Sequence, residues 1–213
     1  MKYAVFLFLF FTTCIYAQGF KDEVLAIQKK YDTILDRSKE TIVFTGSSSV
    51  RLWRSLESDF PNHQIVNSGF GGSQAYDLLQ YTQELILQYH PKKVFIYEGD
   101  NDVFSRKKTK EIIATTQEII KKIKAQDQNT EIVLISAKPS LARWKLRRRY
   151  RRLNRAFKAL SETDEHITFA NVWNVMLKGK GRRVRKDIFV SDGLHMNPKG
   201  YALWYDVIRQ FMD

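Results

Sequence analysis

Four short segments of this 213-residue chain carry the residue types that hydrolytic chemistry needs. Ser47-Ser48-Ser49 leaves the apolar run Ile42-Val43-Phe44-Thr45-Gly46 and is answered far down the chain by Asp192-Gly193-Leu194-His195. A serine hydroxyl attacks a carbonyl only when a base takes its proton and an acid orients that base. All three residue types stand in these two segments. Between them lie Asn67-Ser68-Gly69-Phe70-Gly71-Gly72-Ser73 and Glu98-Gly99-Asp100-Asn101-Asp102, which add hydrogen-bond donors for an oxyanion. Each segment alone is ordinary turn chemistry. Their coincidence at one place in a fold would make a serine esterase.

The elements around them give that place. Phe20, Val24, Ile27, Tyr31 and Ile34 recur at helical spacing, and Thr41 to Thr45 then reads as a buried strand. Further short apolar strands are expected at Gln64 to Val66, Val94 to Tyr97, Ile132 to Ile135 and Ile167 to Ala170, with helical patterns between most of them. The isoleucines at 112, 113, 119, 120 and 123 make the inner face of one helix. Asn197-Pro198 caps and opens the last, which turns Tyr201, Trp204, Ile208 and Phe211 inward. Strands alternating with helices imply a parallel sheet covered on both faces. The fold class expected is therefore α/β, a single three-layer α/β/α sandwich on a mostly parallel, flavodoxin-like five-stranded sheet. In such a sheet ligands bind beyond the carboxyl ends of the strands, where these segments fall. Leu177 to Arg183, rich in lysine, arginine and glycine, reads as an exposed loop before the Asp-His segment.

The order of these blocks resembles the SGNH hydrolases, the GDSL-like esterase, lipase and acylhydrolase family, over nearly the whole chain after residue 17. The resemblance implies that Ser48 of Gly46-Ser47-Ser48 is the nucleophile, with Ser47 in the position where the family commonly has aspartate. It implies that Gly72 and Asn101, from the glycine block and from Gly99-Asp100-Asn101-Asp102, donate to the oxyanion together with the Ser48 amide. It implies that His195 is the base and Asp192 the acid that orients it. Ser47 and Ser49 are the neighbouring alternatives for the nucleophile. The Gly-x-Ser-x-Gly elbow of the α/β-hydrolases is not matched, because Val50 follows Ser49. His63, His90, His166 and His195 form no ligand motif, so neither metal nor cofactor is expected.

Arg51, Trp53, Phe70, Tyr76, Phe104, Arg143 and Trp144 are candidates to line an acyl or sugar pocket, with core or rim as their other possible places. The substrate class implied is a small-molecule, glycan or lipid ester, with a short-acyl carbohydrate ester favoured over a lysophospholipid or thioester.

Residues 1–17 read as a signal peptide: Lys2, an apolar run from Ala4 to Phe11, and a small residue, Ala17, before the expected cleavage. A lipidated Cys14 is the weaker alternative, since Phe11-Thr12-Thr13 lacks the usual context. The run is too short for a permanent transmembrane anchor, so the hydrolase domain, residues 18–213, is expected to be exported to a periplasm or beyond the cell. Cys14 is the one cysteine, and without it the domain has no disulfide or thiol chemistry. The formal net charge of +12 leaves polyanions open as partners, although no specific nucleic acid is expected. The densest cluster, Arg143 to Lys158, interleaves its arginines with Leu146, Tyr150, Leu153, Phe157 and Leu160, so they read first as the wet side of an amphipathic helix. A secreted, non-catalytic polyanion-binding protein is the alternative from another class. Oligomeric state has no signal in the sequence.

Overall fold

The computed structural model describes residues 14–179 and 183–212. Five strands, β1 (Thr41–Gly46), β2 (Gln64–Gly69), β3 (Lys93–Tyr97), β4 (Glu131–Ile135) and β5 (Ile167–Ala170), make one sheet in the order β2-β1-β3-β4-β5. Every neighbouring pair is parallel. This is the flavodoxin-like order, and its direction reverses between β1 and β3. Gly46 lies in register with Gly69 on one side and Tyr97 on the other. The segments that follow these three strands therefore leave the sheet side by side.

Helices cover both faces: α1 (Cys14–Ile34), α2 (Ser48–Arg51), α3 (Leu56–Asp59), α4 (Ala75–Gln80), α5 (Thr82–Leu85), α6 (Asp100–Phe104), α7 (Thr109–Gln126), α8 (Arg147–Ser161) and α9 (Pro198–Ile208). Alternate strand residues feed two cores, as a pleated strand requires. Val43, Val66, Val94, Ile96, Ile132 and Leu134 pack with Val24 and Tyr31 of α1, Leu78 of α4, Leu85 of α5, the α7 isoleucines and Tyr150, Leu153 and Phe157 of α8. Ile42, Phe44, Ile65, Phe95, Tyr97 and Val133 pack on the opposite side with Trp53, Tyr201 and Trp204. There the Phe44 and Phe95 rings stack at 4.2 Å between centroids. The expected sandwich is the one found.

Local chemistry sets the ends that matter for the site. The Asn197 side chain accepts from the Lys199 and Gly200 amides with Pro198 in the first turn, so α9 begins where the sequence places it. The stretch from 177 to 183 is not wholly a loop. Leu177–Lys178 (β6) pairs antiparallel with Arg183–Val184 (β7), because Leu177 and Val184 find each other across the ribbon, and residues 180–182 lie outside the described part. The leader expected over residues 1–17 lies outside the described residues as far as residue 13. Among the described residues no helix is long and apolar enough to cross a membrane.

Gly46 ends β1 at φ +126°, and a Cβ built there would sit 2.0 Å from the Tyr97 carbonyl oxygen. That oxygen also accepts from the Ser47 amide at 3.1 Å. Only glycine allows β1 to run so close to β3 and turn out of the sheet. Gly46→Ala is expected to lower stability by about 3 kcal/mol or more, read as a fall in the urea midpoint. An unchanged midpoint would show that the two strand ends can move apart at little cost.

Candidate active site

At the carboxyl edge, the turn after β1 presents three serines in different environments. Ser47 and Ser49 are buried, at 2% and 3% exposure, while Ser48 is partly open. Ser48 Oγ lies 3.0 Å from His195 Nε2. On the far side of the ring, His195 Nδ1 lies 2.6 Å from Asp192 Oδ2. Burial tends to raise the Asp192 carboxyl, but the amides of Leu194 and His195 and the imidazole outweigh it and hold the group down at about 2. An ionised carboxylate can only accept. Neutral His195 therefore carries its proton on Nδ1 and leaves Nε2 to accept from the Ser48 hydroxyl. Ser48, His195 and Asp192 form one hydrogen-bonded chain.

The acid and base are rigidly presented. Asp192 Oδ1 accepts from the Leu194 amide at 2.8 Å and the His195 amide at 2.9 Å, folding the loop on itself. The Gly193 carbonyl accepts from the Ala142 amide at 3.0 Å, which ties the loop to the segment after β4. The cap of α9 begins two residues beyond His195. From within α9, Tyr201 Oη donates to the Ser49 carbonyl at 3.1 Å. Two ends of the chain are thus fastened together directly beneath Ser48.

The expected oxyanion donors lie on the neighbouring turns. The Ser48 and Gly72 amides have no hydrogen-bond partner among the described residues. Gly72 stands at φ +77° facing open space. Asn101 Nδ2 donates to the Ser73 carbonyl at 2.8 Å, holding the side chain against the Ser73-Gln74 peptide with its second N–H unassigned. Asn67, the first residue of the glycine block, turns away from this edge and donates to the Val50 carbonyl at 3.0 Å, clipping β2 to α2.

Of the pocket candidates, Trp53 and Phe70 are buried in the core. Trp53 is 1% exposed, its indole N–H donates to Asp59 at 2.7 Å, and it packs against Phe44, Phe60, Tyr201 and Trp204. Phe70 is fully buried and meets Phe20 and Tyr81 edge to face. The apolar side of each turn is needed to close a core, which a list of nearby aromatics does not reveal. Arg51 pairs with Glu23 at 3.2 Å and lies against Gly71. Trp144 is half-buried and stacks on Trp173. Tyr76 and Phe104 remain open, at 54% and 57% exposure.

Arg143 does not face a pocket as a free cation. Its Nη1 donates to Asp100 Oδ1 at 2.6 Å and to Asn101 Oδ1 at 3.0 Å, and its guanidinium lies 4.3 Å from the Phe104 ring centre. Asp100 also accepts from Tyr150 Oη at 2.7 Å, Tyr97 Oη at 2.8 Å and Lys138 Nζ at 3.3 Å. Burial opposes ionisation of Asp100, but Lys138, Arg143 and the two phenols outweigh it and hold the carboxyl at about 2. Burial pushes the Lys138 ammonium below its usual value against the pull of Asp100. Glu98, beside this group, is the opposite case: burial first, then Asp102, push it well above the usual carboxyl range, and Ser73 Oγ donates to it at 2.6 Å. Lys138, Tyr97 and Tyr150 escape a motif search because each looks like strand end or helix core. Among the described residues no group of three or more His, Cys, Asp or Glu is placed to hold a metal ion.

The profile of the GDSL-like Lipase/Acylhydrolase family matches residues 26–203. No curated protein matches the chain. Similar solved structures include a Streptococcus pneumoniae protein provisionally assigned as a platelet activating factor, at 22% identity and a TM-score of 0.77, covering 95% of this chain and 100% of that one. A GDSL-like lipase from Bacteroides thetaiotaomicron aligns at 21% identity and a TM-score of 0.72, over 86% of this chain and 96% of its own. A catalytic mutant of an acetylxylan esterase from Geobacillus stearothermophilus aligns at 17% identity and a TM-score of 0.66, over 81% and 94%.

Asp100→Asn would leave Lys138 and Arg143 buried without their counter-charge, and is expected to cost about 3–5 kcal/mol in urea unfolding at neutral pH. A folded-state carboxyl held at about 2 contributes stability that is complete above its unfolded value and is lost as pH falls through about 2. The gap between the two proteins should therefore narrow in strong acid. Equal stability at neutral pH would show that the cluster is dispensable.

Proposed function

Because the chain belongs to the GDSL-like lipase/acylhydrolase family and is a serine ester hydrolase of that family, we propose that Ser48, His195 and Asp192 are its catalytic triad and that its substrate is a short-acyl ester of a carbohydrate. The observation that carries the triad is the unbroken chain from Ser48 Oγ through His195 to Asp192, at 3.0 and 2.6 Å. His195 Nε2 takes the hydroxyl proton as Ser48 Oγ attacks the ester carbonyl. The imidazolium formed is stabilised by Asp192, which stays ionised. The tetrahedral oxygen is received by the Ser48 and Gly72 amides and by the second N–H of Asn101, which are held in place before the reaction begins. His195 returns the proton to the departing alcohol oxygen, and water enters on the same base to release the acid from Ser48.

The substrate proposal is supported by the acetylxylan esterase among the structural neighbours and by the exposed Tyr76 and Phe104 rings, whose flat apolar faces suit a sugar ring. The leader-like residues 1–17 support export of the enzyme to a periplasm or the cell exterior.

Turnover of p-nitrophenyl acetate, butyrate and octanoate tests the reading. Ser48→Ala should lose roughly 10^6 in kcat with an unchanged unfolding midpoint, and Asn101→Ala, which also gives up its bonds to Ser73 and Arg143, about 10^2 to 10^3 in a protein that remains folded. Turnover falling from acetate to octanoate supports a short-acyl substrate, and turnover rising along the series would assign a lysophospholipid or another long-chain ester instead. Wild-type rates in folded Ser48→Ala would remove Ser48 from the reaction.

A further inference from the structure

We propose that Arg143 is a positioning residue that orients and polarises the Asn101 amide, an inference that rests on Asn101 being an oxyanion donor. An asparagine side chain can be flipped end for end, and only one orientation offers N–H to a substrate oxygen. Here the guanidinium donates to Asn101 Oδ1 at 3.0 Å, so that oxygen must face Arg143 and Nδ2 must face Ser73. The flipped amide would point N–H at a cation that has no lone pair to accept it. Withdrawal of electron density through Oδ1 also makes the remaining N–H a stronger donor, as hydrogen bonds in chains reinforce one another. Arg143 is itself fixed, with 11% of its side chain exposed and Nη1 on Asp100. A positive charge thus stands one side chain behind the place where negative charge develops. It touches no substrate.

The test is a double-mutant cycle on p-nitrophenyl acetate. Arg143→Gln should lower kcat about 10- to 100-fold with KM changed less than threefold, a range below the loss of a whole oxyanion donor. In an Asn101→Ala background the same change should cost less than twofold. Arg143→Lys keeps a positive charge beside Asp100, but its side chain is too short to bring a donor to the Nη1 position that meets both Asp100 and Asn101, so it guards against loss of folding and should still lower kcat. Equal penalties in both backgrounds, or full activity of Arg143→Lys and Arg143→Gln, would overturn the proposal. An Asn101→Ala enzyme with wild-type kcat would instead remove Asn101 from the oxyanion site.

A separate feature lies on the outer face of α8. This helix contains no acidic residue, its first turn is Arg147, Arg148 and Arg149, and Arg148, Arg152 and Arg155 are exposed along one line. Cations at the positive end of a helix and like charges four apart both oppose the helix. Arg148, Arg152 and Arg155 have no ion-pair partner among the described residues. We infer that this line seats an acidic polysaccharide, the polymer that would bear the ester in the carbohydrate reading above. A membrane surface fits less well, because the apolar side of α8, Tyr150, Leu153, Phe157 and Leu160, is spent in the core and no large apolar residue on the helix is exposed.

Binding to polygalacturonate, measured by titration calorimetry at two salt concentrations, tests this. The wild type should bind and weaken with salt, while the triple variant Arg148→Ser, Arg152→Ser, Arg155→Ser should bind at least tenfold less with p-nitrophenyl acetate turnover within twofold of wild type. Equal binding by the triple variant, or tighter wild-type binding to phosphatidylglycerol vesicles or duplex DNA, would overturn it. Retained polymer binding in a protein that hydrolyses no ester would leave this surface standing and remove the carbohydrate-esterase reading.

Discussion

Asp100 accepts hydrogen bonds from four side chains, Tyr97, Lys138, Arg143 and Tyr150, and each comes from a different stretch of chain. Tyr97 ends β3, Lys138 follows β4, Arg143 precedes α8 and Tyr150 lies inside it. A carboxylate this deeply buried is tolerable only when its lone pairs are all met and its charge is balanced. Meeting that demand fixes the spacing of four segments at the carboxyl edge. Asn101 is the next residue along, so whatever holds Asp100 also holds the amide beside it. The same cluster occupies Nη1 of Arg143.

The remainder of the site follows from sheet order. With β1 flanked by β2 and β3, the turns bearing Ser48, Gly72 and Asn101 emerge from three adjacent strands at the point where the order reverses. His195 does not come from the sheet at all. It is carried by the loop entering α9, whose position is set by packing of Trp204 and Tyr201 on the aromatic layer around Phe44 and Trp53. The distance from base to hydroxyl is therefore governed by a hydrophobic core on one face, and the Asn101 side by the polar cluster around Asp100.

These two modes of support differ in how far they can be read from sequence. The strands were legible because parallel strands buried on both faces leave unbroken apolar runs, and α9 because Asn197-Pro198 is a strong start signal. Ser48, Asp192, His195, Gly72 and Asn101 stood in recognisable blocks, and the structure brings Ser48, His195 and Asp192 into one hydrogen-bonded chain. The family block alone singles out Ser48 over Ser47 and Ser49; the burial of those two neighbours is what three identical residues in a row conceal. For Trp53 and Phe70 the sequence leaves pocket, core and rim open, because adjacency in sequence to a chemical block says nothing about which way a side chain turns, and the structure buries both in the core. Lys138 and Tyr150 were invisible for a related reason: partners of a buried charge share no spacing, only a common point in space. The short pairing of Leu177–Lys178 with Arg183–Val184 was missed because two-residue strands carry too little periodicity to register.

The hydroxyl at Ser48 and the imidazole at His195 are separated by 147 positions. β1 precedes α9 in the chain, and the Tyr201 to Ser49 bond cannot form until α9 has docked beside the turn that follows β1. No partial chain that lacks α9 holds both groups in reach of each other. On the proposed reading, ester cleavage is silent during synthesis and switches on only with completion of the tertiary structure, so that the architecture itself keeps an unfinished chain from attacking what surrounds it.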